Sequence, residues 1–196
     1  ALLDMFTLRE VYPGDATEGK RVLIVGDILH SRVARSTSRI LTKLGVNVGV
    51  LGPGTLVPEG RPAEMRKFRT FDDALAWKPD VIYLLRVQHE RQGTPSFPGE
   101  QEYHKHYGLT TERLRQVRGE GIWVMHPGPV NRGVELCHAV MDYERSLINQ
   151  QVGHVNWRRR RRLSATPLTH LIKLHKRILR QDKGQFWPQW GDLSRG

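Results

Sequence analysis

Cysteine and long apolar segments are nearly absent from the 196-residue chain. The single cysteine, Cys137, cannot form an internal disulfide. No hydrophobic run approaches the ~20 residues that a helix needs to cross a bilayer, and no charged and apolar leader precedes a cleavage site. The sequence therefore predicts a protein of the reducing cytoplasm that has no membrane partner.

Acidic residues are scarce relative to basic ones, and the imbalance is local. The whole chain has 20 Asp and Glu against 31 Lys and Arg, a net charge of +11. Residues 158–196 hold eleven of the basic residues and two of the acids, a net of +9, which leaves +2 for residues 1–157. We therefore expect a nearly neutral folded body over 1–157 and a basic, aromatic-containing tail over 158–196. A nucleic acid partner is conceivable only for the tail.

The apolar residues of the body are arranged in short runs. Hydrophobic residues make up 38% of the chain, which is too many for a wholly disordered protein. Four runs rich in Val and Ile and bounded by Gly or Pro are typical of strands buried on both faces of a parallel sheet. These runs cover residues 21–27, 46–53, 81–87 and 122–127.

Helical patterns alternate with the predicted strands. Apolar residues recur at helical spacing between 33 and 44, after Ser31 as a candidate N-cap and before Gly45 as a stop. Residues 1–12, 71–77 and 110–117 show further helical patterns. The alternation predicts an α/β fold with a doubly wound, Rossmann-like parallel sheet flanked by helices. Ligands of such sheets bind beyond the carboxyl ends of the strands.

Arginine follows two of the predicted strands. Arg32 stands at the start of the helix after the first strand, where a cation opposes the helix dipole and an anionic ligand would relieve the conflict. Arg86 continues the third strand and shares one side of it with Gln88. A buried arginine needs an anionic partner, and its guanidinium grips a carboxylate with two hydrogen bonds. These positions favour a small dicarboxylate or a phosphate as ligand; the alternatives are a solvated Arg32 and an internal salt bridge to Arg86.

The fourth strand runs into a stiff turn of sequence HPGPVNRG over residues 126–133. Proline has no N–H to donate, so Pro127 and Pro129 around Gly128 present carbonyl oxygens. Such a turn suits a ligand that brings its own N–H donors. The alternative is an ordinary rigid loop, with His126 as a hydrogen-bonded core histidine.

Four segments together resemble one protein family. They are GDILHSRVARS (26–36), LLRVQHER (84–91), EYHKHYGLT (102–110) and MHPGPVNRGVE (125–135). Their order and spacing resemble the second, amino-acid-binding domain of the aspartate/ornithine carbamoyltransferase family, and the agreement covers about residues 1–152. The HPGP form is similar to the aspartate enzymes, because the corresponding loop of the ornithine enzymes usually contains a cysteine.

The resemblance implies a role for each matching residue. Arg32, Arg86 and Gln88 correspond to residues that bind L-aspartate, and Arg91 to one that holds the surrounding loops closed. The backbone of residues 127–129 corresponds to groups that contact the carbamoyl group and the incoming amine. In the implied reaction, a step of pyrimidine biosynthesis, the aspartate amine attacks carbamoyl phosphate and phosphate leaves. The family uses no metal, cofactor or covalent intermediate for this step.

Part of the family pattern does not occur in the sequence. The carbamoyl-phosphate half of family members carries a Ser-x-Arg-Thr loop and a His-Pro-x-Gln segment, and neither is present among the 196 residues. We therefore expect the chain to lack that first domain, together with the lysine that a neighbouring subunit contributes in the homotrimer usual for the family. The isolated chain is then incomplete for turnover.

The tail departs from the family pattern after Val152, and three interpretations of it are open. In the first, it is a distorted closing helix that docks on the body. In the second, it is a basic and aromatic arm that binds polyanions. In the third, it is non-native sequence of the kind that out-of-frame translation of a GC-rich gene would produce.

Two functions from different classes follow. In the first, the chain is the aspartate-binding half of an aspartate carbamoyltransferase. In the second, it is a non-catalytic binding or interaction protein that keeps the fold and uses its basic tail. The presence of Arg32, Arg86 and Gln88 favours the first, because a repurposed fold has no need of them.

Overall fold

A five-stranded sheet forms the centre of the computed structural model, which describes residues 2–13, 16–58, 65–87 and 99–160, with side chains as far as residue 154. The strands are β1 (Arg21–Val25), β2 (Asn47–Leu51), β3 (Met65–Phe68), β4 (Val81–Leu84) and β5 (Trp123–Met125). The helices are α1 (Leu2–Val11), α2 (Arg32–Lys43), α3 (Phe71–Ala76), α4 (Glu100–Tyr107), α5 (Thr111–Gly119) and α6 (Ile148–Arg160), with short 3-10 turns at Gly54–Leu56 and His138–Val140. Within these ranges no helix is both long and apolar enough to span a membrane.

The sheet is parallel throughout, in the spatial order β3-β2-β1-β4-β5. The chain builds from β1 toward one edge and then returns to place β4 on the other side of β1, with Val25 paired to Leu84. The strand order therefore reverses between β1 and β4. The predicted doubly wound α/β fold is confirmed, and its ligand crevice is expected at this reversal, beyond the carboxyl ends of the strands.

Helices cover both faces of the sheet, which is why the strands contain runs of apolar residues. The first core packs α1 and α2 on the sheet and includes Met5, Leu8, Ile40 and Leu41 with Val22, Ile24, Val48 and Val50. The second packs α3 and α5 on the other face and includes Phe71, Leu75, Leu114 and Val117 with Leu23, Val25, Ile82 and Leu84. Full burial of each such side chain contributes roughly 1.5–3 kcal/mol.

Side-chain caps fix where three of the helices begin. The hydroxyl oxygens of Ser31, Thr70 and Thr110 accept the N–H of the residue three positions on, at 3.1, 3.1 and 3.3 Å. Capping of this kind is worth about 1 kcal/mol. The cap at Ser31 determines where α2 starts and so places Arg32 at its first position.

Three elements of the structure were not predicted from the sequence patterns. The strand β3 lies at the edge of the sheet and pairs with β2 alone. Because Arg66 and Lys67 occupy its centre, its sequence contains no apolar run. The helix α4 is mainly polar, with Tyr103 as its buried residue. The helix α6 is also polar and continues through residues 157 and 158, where the sequence predicts the end of the body. Residues 161–196 lie outside the described residues, so the two-part division of the chain stays a prediction.

A buried polar seam attaches α6 to the rest of the fold. The Nε2 of Gln151 donates to Asp4 Oδ1 at 2.7 Å and to the hydroxyl of Tyr83 at 3.0 Å. Its Oε1 accepts the backbone N–H of His126 at 3.1 Å. Thr37 donates to the other oxygen of Asp4 at 3.0 Å. One glutamine thereby links α1, β4 and the segment that follows β5.

Candidate functional site

A cleft of about 460 Å³ lies at the carboxyl ends of β1 and β4, where the strand order reverses. The fold brings four predicted site residues from three separate segments to this cleft. Its lining residues are Asp27, His30, Ser31, Arg32, Val33, Arg86, Pro127 and Gly128. Pro129, the remaining predicted residue of the turn, follows Gly128 through a cis peptide bond.

Arg32 is the first residue of α2 and its side chain is exposed. The first turn of this helix contains no acidic residue, so no side chain of the helix itself offsets the positive end of its dipole. Burial, with the guanidinium groups of Arg39 and Arg32, lowers the pKa of Arg35 one turn further along. The helix start and Arg32 together make this end of the cleft suited to an anionic group.

Arg86 is half-buried between Leu85 and Val87, each of which is 1% exposed. Its Nε is buried and has no hydrogen-bond partner among the described residues. None of the carboxylates in that part of the chain forms an ion pair with its guanidinium. The internal salt bridge considered from the sequence is thus not found there. A guanidinium in this position can bind the carboxylate of a ligand with two parallel hydrogen bonds.

The turn after β5 bends sharply at Gly128, whose φ of +66° is a left-handed conformation that favours glycine. A Cβ at this position would also come within 3.1 Å of Val152 Cγ2 in α6. The N–H of Gly128 donates to His126 Nδ1 at 2.9 Å. The turn is therefore fixed by the histidine that precedes it, and α6 leaves little room for a side chain at Gly128.

His126 is fully buried, which confirms the interpretation of this residue as a hydrogen-bonded core histidine. Burial, reinforced by the nearby charge of Arg86, lowers the pKa of His126 to about 4. The imidazole is therefore neutral at physiological pH, and one ring nitrogen can accept a hydrogen bond. The other nitrogen, Nε2, lies 3.9 Å from Glu135 Oε2 and has no hydrogen-bond partner among the described residues.

Glu135 and Asn131 join the turn to the segment after β4, and the sequence patterns give neither a role. The buried carboxylate of Glu135 accepts the N–H of Val87 at 2.8 Å, the N–H of Asn131 at 2.6 Å and the Nδ2 of Asn131 at 2.8 Å. Asn131 Nδ2 also donates to Val87 O at 3.0 Å. Burial raises the pKa of Glu135, and these hydrogen bonds oppose the shift. The backbone next to Arg86 is thereby fixed relative to the turn.

Asp27 places one negative charge in the wall of the cleft, and the sequence patterns do not single it out. Its Oδ1 accepts the N–H of His30 at 3.0 Å and lies 3.0 Å from His30 Nδ1. The pair closes the bend between β1 and α2 that brings Arg32 to the cleft. Across the ranges given above, no group of three or more His, Cys, Asp or Glu is arranged to hold a metal ion.

Two predicted site residues cannot be placed. Gln88 and Arg91 both fall within residues 88–98, outside the described residues. Their proposed contact with a ligand and with the surrounding loops stays a prediction.

A larger cleft of about 640 Å³ beside the edge strand β3 contains none of the predicted site residues. Arg21 donates to the backbone oxygen of Trp77 at 2.7 Å, and the guanidinium of Arg66 lies 5.2 Å from the centre of the Phe68 ring. These cations are already partnered by the protein, unlike the Arg86 Nε in the smaller cleft. Arg69 lines this second cleft and provides a control position away from β1 and β4.

Comparison with known proteins agrees with the geometry. The model of the aspartate/ornithine carbamoyltransferase Asp/Orn binding domain matches residues 18–160, which include the three segments that line the cleft at the strand reversal. The chain belongs to this carbamoyltransferase family. The match includes every described site residue of this carbamoyltransferase chain and extends through the end of α6.

Curated relatives of the carbamoyltransferase chain are similar over its folded part. It is 63% identical over 152 residues to the aspartate carbamoyltransferase catalytic subunit of Akkermansia muciniphila, covering 78% of this chain and 48% of the relative. It is 48% identical over 153 residues to the subunit of the same name from Halothermothrix orenii, with the same coverage. The chain thus spans about half the length of the curated relatives it matches.

Solved structures share the fold. The catalytic subunit of M. jannaschii aspartate transcarbamoylase superposes with a TM-score of 0.63 at 25% identity, covering 91% of this chain and 56% of that one. Ornithine carbamoyltransferase from Thermus thermophilus superposes with a TM-score of 0.59 at 21% identity, covering 78% and 49%. The second comparison establishes the fold alone.

Proposed function

We propose that this chain is the L-aspartate-binding half of an aspartate carbamoyltransferase, an enzyme of pyrimidine biosynthesis in the cytoplasm. The observation that carries the proposal is the meeting of Arg32, Arg86 and the Pro127–Gly128 turn at the strand reversal. Two cations face a turn rich in carbonyl oxygens. A small molecule that has two carboxylates and an amine fits this combination of groups.

The chemistry assigned to the cleft follows from its charges. Arg32 and Arg86 bind the two carboxylates of L-aspartate, and Gln88 assists them. The α-amino group then lies toward the backbone of the turn and attacks the carbonyl carbon of carbamoyl phosphate. The uncharged amine forms the new C–N bond, the C–O bond to phosphate breaks, and the leaving phosphate takes up the proton that the amine gives up, which yields N-carbamoyl-L-aspartate and inorganic phosphate. Such a site accelerates the reaction by positioning two anionic substrates and stabilising developing charge.

Carbamoyl phosphate itself needs further residues. The 196 residues contain neither the Ser-x-Arg-Thr nor the His-Pro-x-Gln segment of the family, so we assign its phosphate-binding groups to a carbamoyl-phosphate domain outside this sequence. In the complete enzyme we expect a homotrimer, with Arg91 holding the loops of the closed site.

Chemical-shift mapping by NMR tests the proposed ligand. Titration of the ¹⁵N-labelled chain with L-aspartate should shift the amide signals of Arg32, Val33 and Gly128, because these residues line the cleft. The amides of Lys67 and Arg69 serve as the internal control, since they line the cleft beside β3. Shifts confined to that second cleft, or none at millimolar L-aspartate, would count against the proposed function.

A further inference from the structure

His126 accepts a backbone hydrogen bond from the turn that follows it. Pro127 and Pro129 have no N–H, so Gly128 holds the only backbone donor of residues 127–129. That N–H donates to His126 Nδ1 at 2.9 Å. The three residues that form the turn are consequently left with carbonyl acceptors alone.

The hydrogen bond also fixes the orientation of one peptide group. The Pro127–Gly128 peptide is trans, and the N–H and C=O of a planar trans peptide point in opposite directions. With the N–H directed at His126, the carbonyl of Pro127 points away from it. His126 is fully buried, whereas Pro127 and Gly128 line the cleft.

His126 is itself held in a single position and a single tautomer. Its backbone N–H is bonded to Gln151 at 3.1 Å, and its ring is enclosed by the core. Because Nδ1 accepts from Gly128, the ring proton of the neutral imidazole resides on Nε2, which faces Glu135 at 3.9 Å. The charged groups around the ring are Glu135 and Arg86.

We propose that His126 is a positioning residue that keeps the Pro127–Gly128 peptide in its acceptor-presenting orientation and so makes the cleft selective for ligands that carry an N–H donor beside their carboxylates. This proposal rests on the proposed function. Without the imidazole acceptor, the part-buried N–H of Gly128 loses its hydrogen-bond partner in this orientation of the peptide, which is costly. Glycine permits the peptide to rotate, because it tolerates backbone conformations that other residues avoid. The rotated peptide presents its N–H to the cleft, where that group binds an anionic oxygen instead of an amine.

The consequence is a change in ligand preference. L-Aspartate and succinate are both dicarboxylates of four carbons, and only L-aspartate has an amine. The wild-type chain should bind L-aspartate at least about ten-fold more tightly than succinate, the worth of one hydrogen bond to a charged group. In His126→Phe, which keeps a planar ring and removes the acceptor, the two affinities should come within about three-fold of each other. His126→Asn should restore the wild-type preference, since its Oδ1 can take the place of the imidazole Nδ1.

Two NMR measurements on the full chain test the proposal. In the ¹⁵N-labelled wild type, a scalar coupling between the Gly128 nitrogen and His126 Nδ1 should report the hydrogen bond directly, and its absence would overturn the proposal. Titrations with L-aspartate and with succinate then give the two affinities for the wild type, His126→Asn and His126→Phe. If His126→Phe does not fold, the proposal is tested by two results: the Gly128–His126 scalar coupling in the wild type, and the preference of His126→Asn for L-aspartate over succinate.

The outcomes separate the two proposals. An unchanged preference in a folded His126→Phe, or a preference lost in a folded His126→Asn, overturns the role of His126 and leaves the proposed function standing. Failure of the wild type to bind either ligand overturns the proposed function and the selectivity together.

Discussion

Glu135 is a buried carboxylate that accepts three hydrogen bonds, one from the N–H of Val87 and two from Asn131. A carboxylate can accept all three, whereas the amide of glutamine has only one oxygen and would turn its N–H₂ toward other donors. We expect Glu135→Gln to lower the free energy of unfolding by about 2 kcal/mol, since it leaves buried donors unsatisfied. Urea denaturation followed by circular dichroism measures this change.

Glu102→Gln in α4 is the matched control, because Glu102 is exposed. Its effect should stay within about 0.5 kcal/mol, as for most surface substitutions. Equal stability of the Glu135→Gln variant and this control would show that the described hydrogen bonds do not hold the turn to the backbone of Val87.

His126 makes stability depend on pH. Burial, followed by the charge of Arg86, lowers the pKa of His126 to about 4 in the folded chain, against an unfolded value of about 6.5. Between these values the unfolded chain binds a proton that the folded chain does not. The contribution of His126 to the free energy of unfolding therefore falls as the pH is lowered from about 6.5 to about 4, by roughly 3 kcal/mol in total. Below pH 4 no further loss from this group is expected.

Comparison with His126→Asn isolates this contribution. Burial raises the pKa of Glu135, so the Glu135 contribution has the opposite sign and persists in both proteins. Denaturation curves between pH 4 and 7 should show a shallower loss of stability in the variant. Parallel curves for the two proteins would mean that the imidazole is not held neutral by the fold.

At the scale of elements, Gln151 is the central residue of the buried polar seam that attaches α6 to α1 and to the sheet. Gln151 contacts Asp4, Tyr83 and the backbone of His126, and all of these groups are buried. Gln151→Ala removes one hydrogen bond from each of these groups, so we expect a loss of about 2–4 kcal/mol of unfolding free energy. Gln150→Ala on the exposed side of the same helix is the control and should change stability by less than about 0.5 kcal/mol. Similar losses in both variants would contradict the role given to the seam.

The strands and helices with strong patterns could be predicted, and those with weak ones could not. The runs that became β1, β2, β4 and β5 are apolar because both faces of the sheet are covered. The short strand β3 carries Arg66 and Lys67 because it is at the edge, and charge on an edge strand discourages pairing with other chains. Its place is decided by pairing with β2, which no local pattern reveals.

Residues of the cleft likewise divide into those with a local sequence signal and those without one. Arg32 and Arg86 were predictable because a cation at a helix start or after a buried strand conflicts with its surroundings. Glu135 and Asn131 were not, since their shared partner, Val87, lies more than forty residues away in the sequence and comes close only in the fold. A glutamate within the otherwise apolar stretch Val134–Cys137 was the one available signal.

For the whole molecule, the charge of +11 has little to do with the cleft. The cleft depends on Arg32 and Arg86, which belong to a body with a net charge of +2. The described body holds the fold and the cleft at the strand reversal, while the chain spans about half the length of the curated relatives it matches.

Turnover is therefore expected to require more than this chain. The purified 196-residue protein, supplied with carbamoyl phosphate and L-aspartate, should form no N-carbamoyl-L-aspartate above the uncatalysed rate. Mass spectrometry of the product measures this, with a full-length relative as the positive control. Product formation at an enzymatic rate by the pure chain would show that the carbamoyl-phosphate site lies within these residues after all.

The central claim is that Arg86 binds a carboxylate of L-aspartate in the cleft at the strand reversal. Calorimetric titration of the wild type, Arg86→Ala and Arg69→Ala with L-aspartate tests it most directly. Loss of a charge-assisted hydrogen bond is worth about 1.5–3 kcal/mol, so Arg86→Ala should bind at least about ten-fold more weakly than the wild type, and Arg69→Ala should bind as the wild type does. Equal affinity of the wild type and a folded Arg86→Ala would contradict the account.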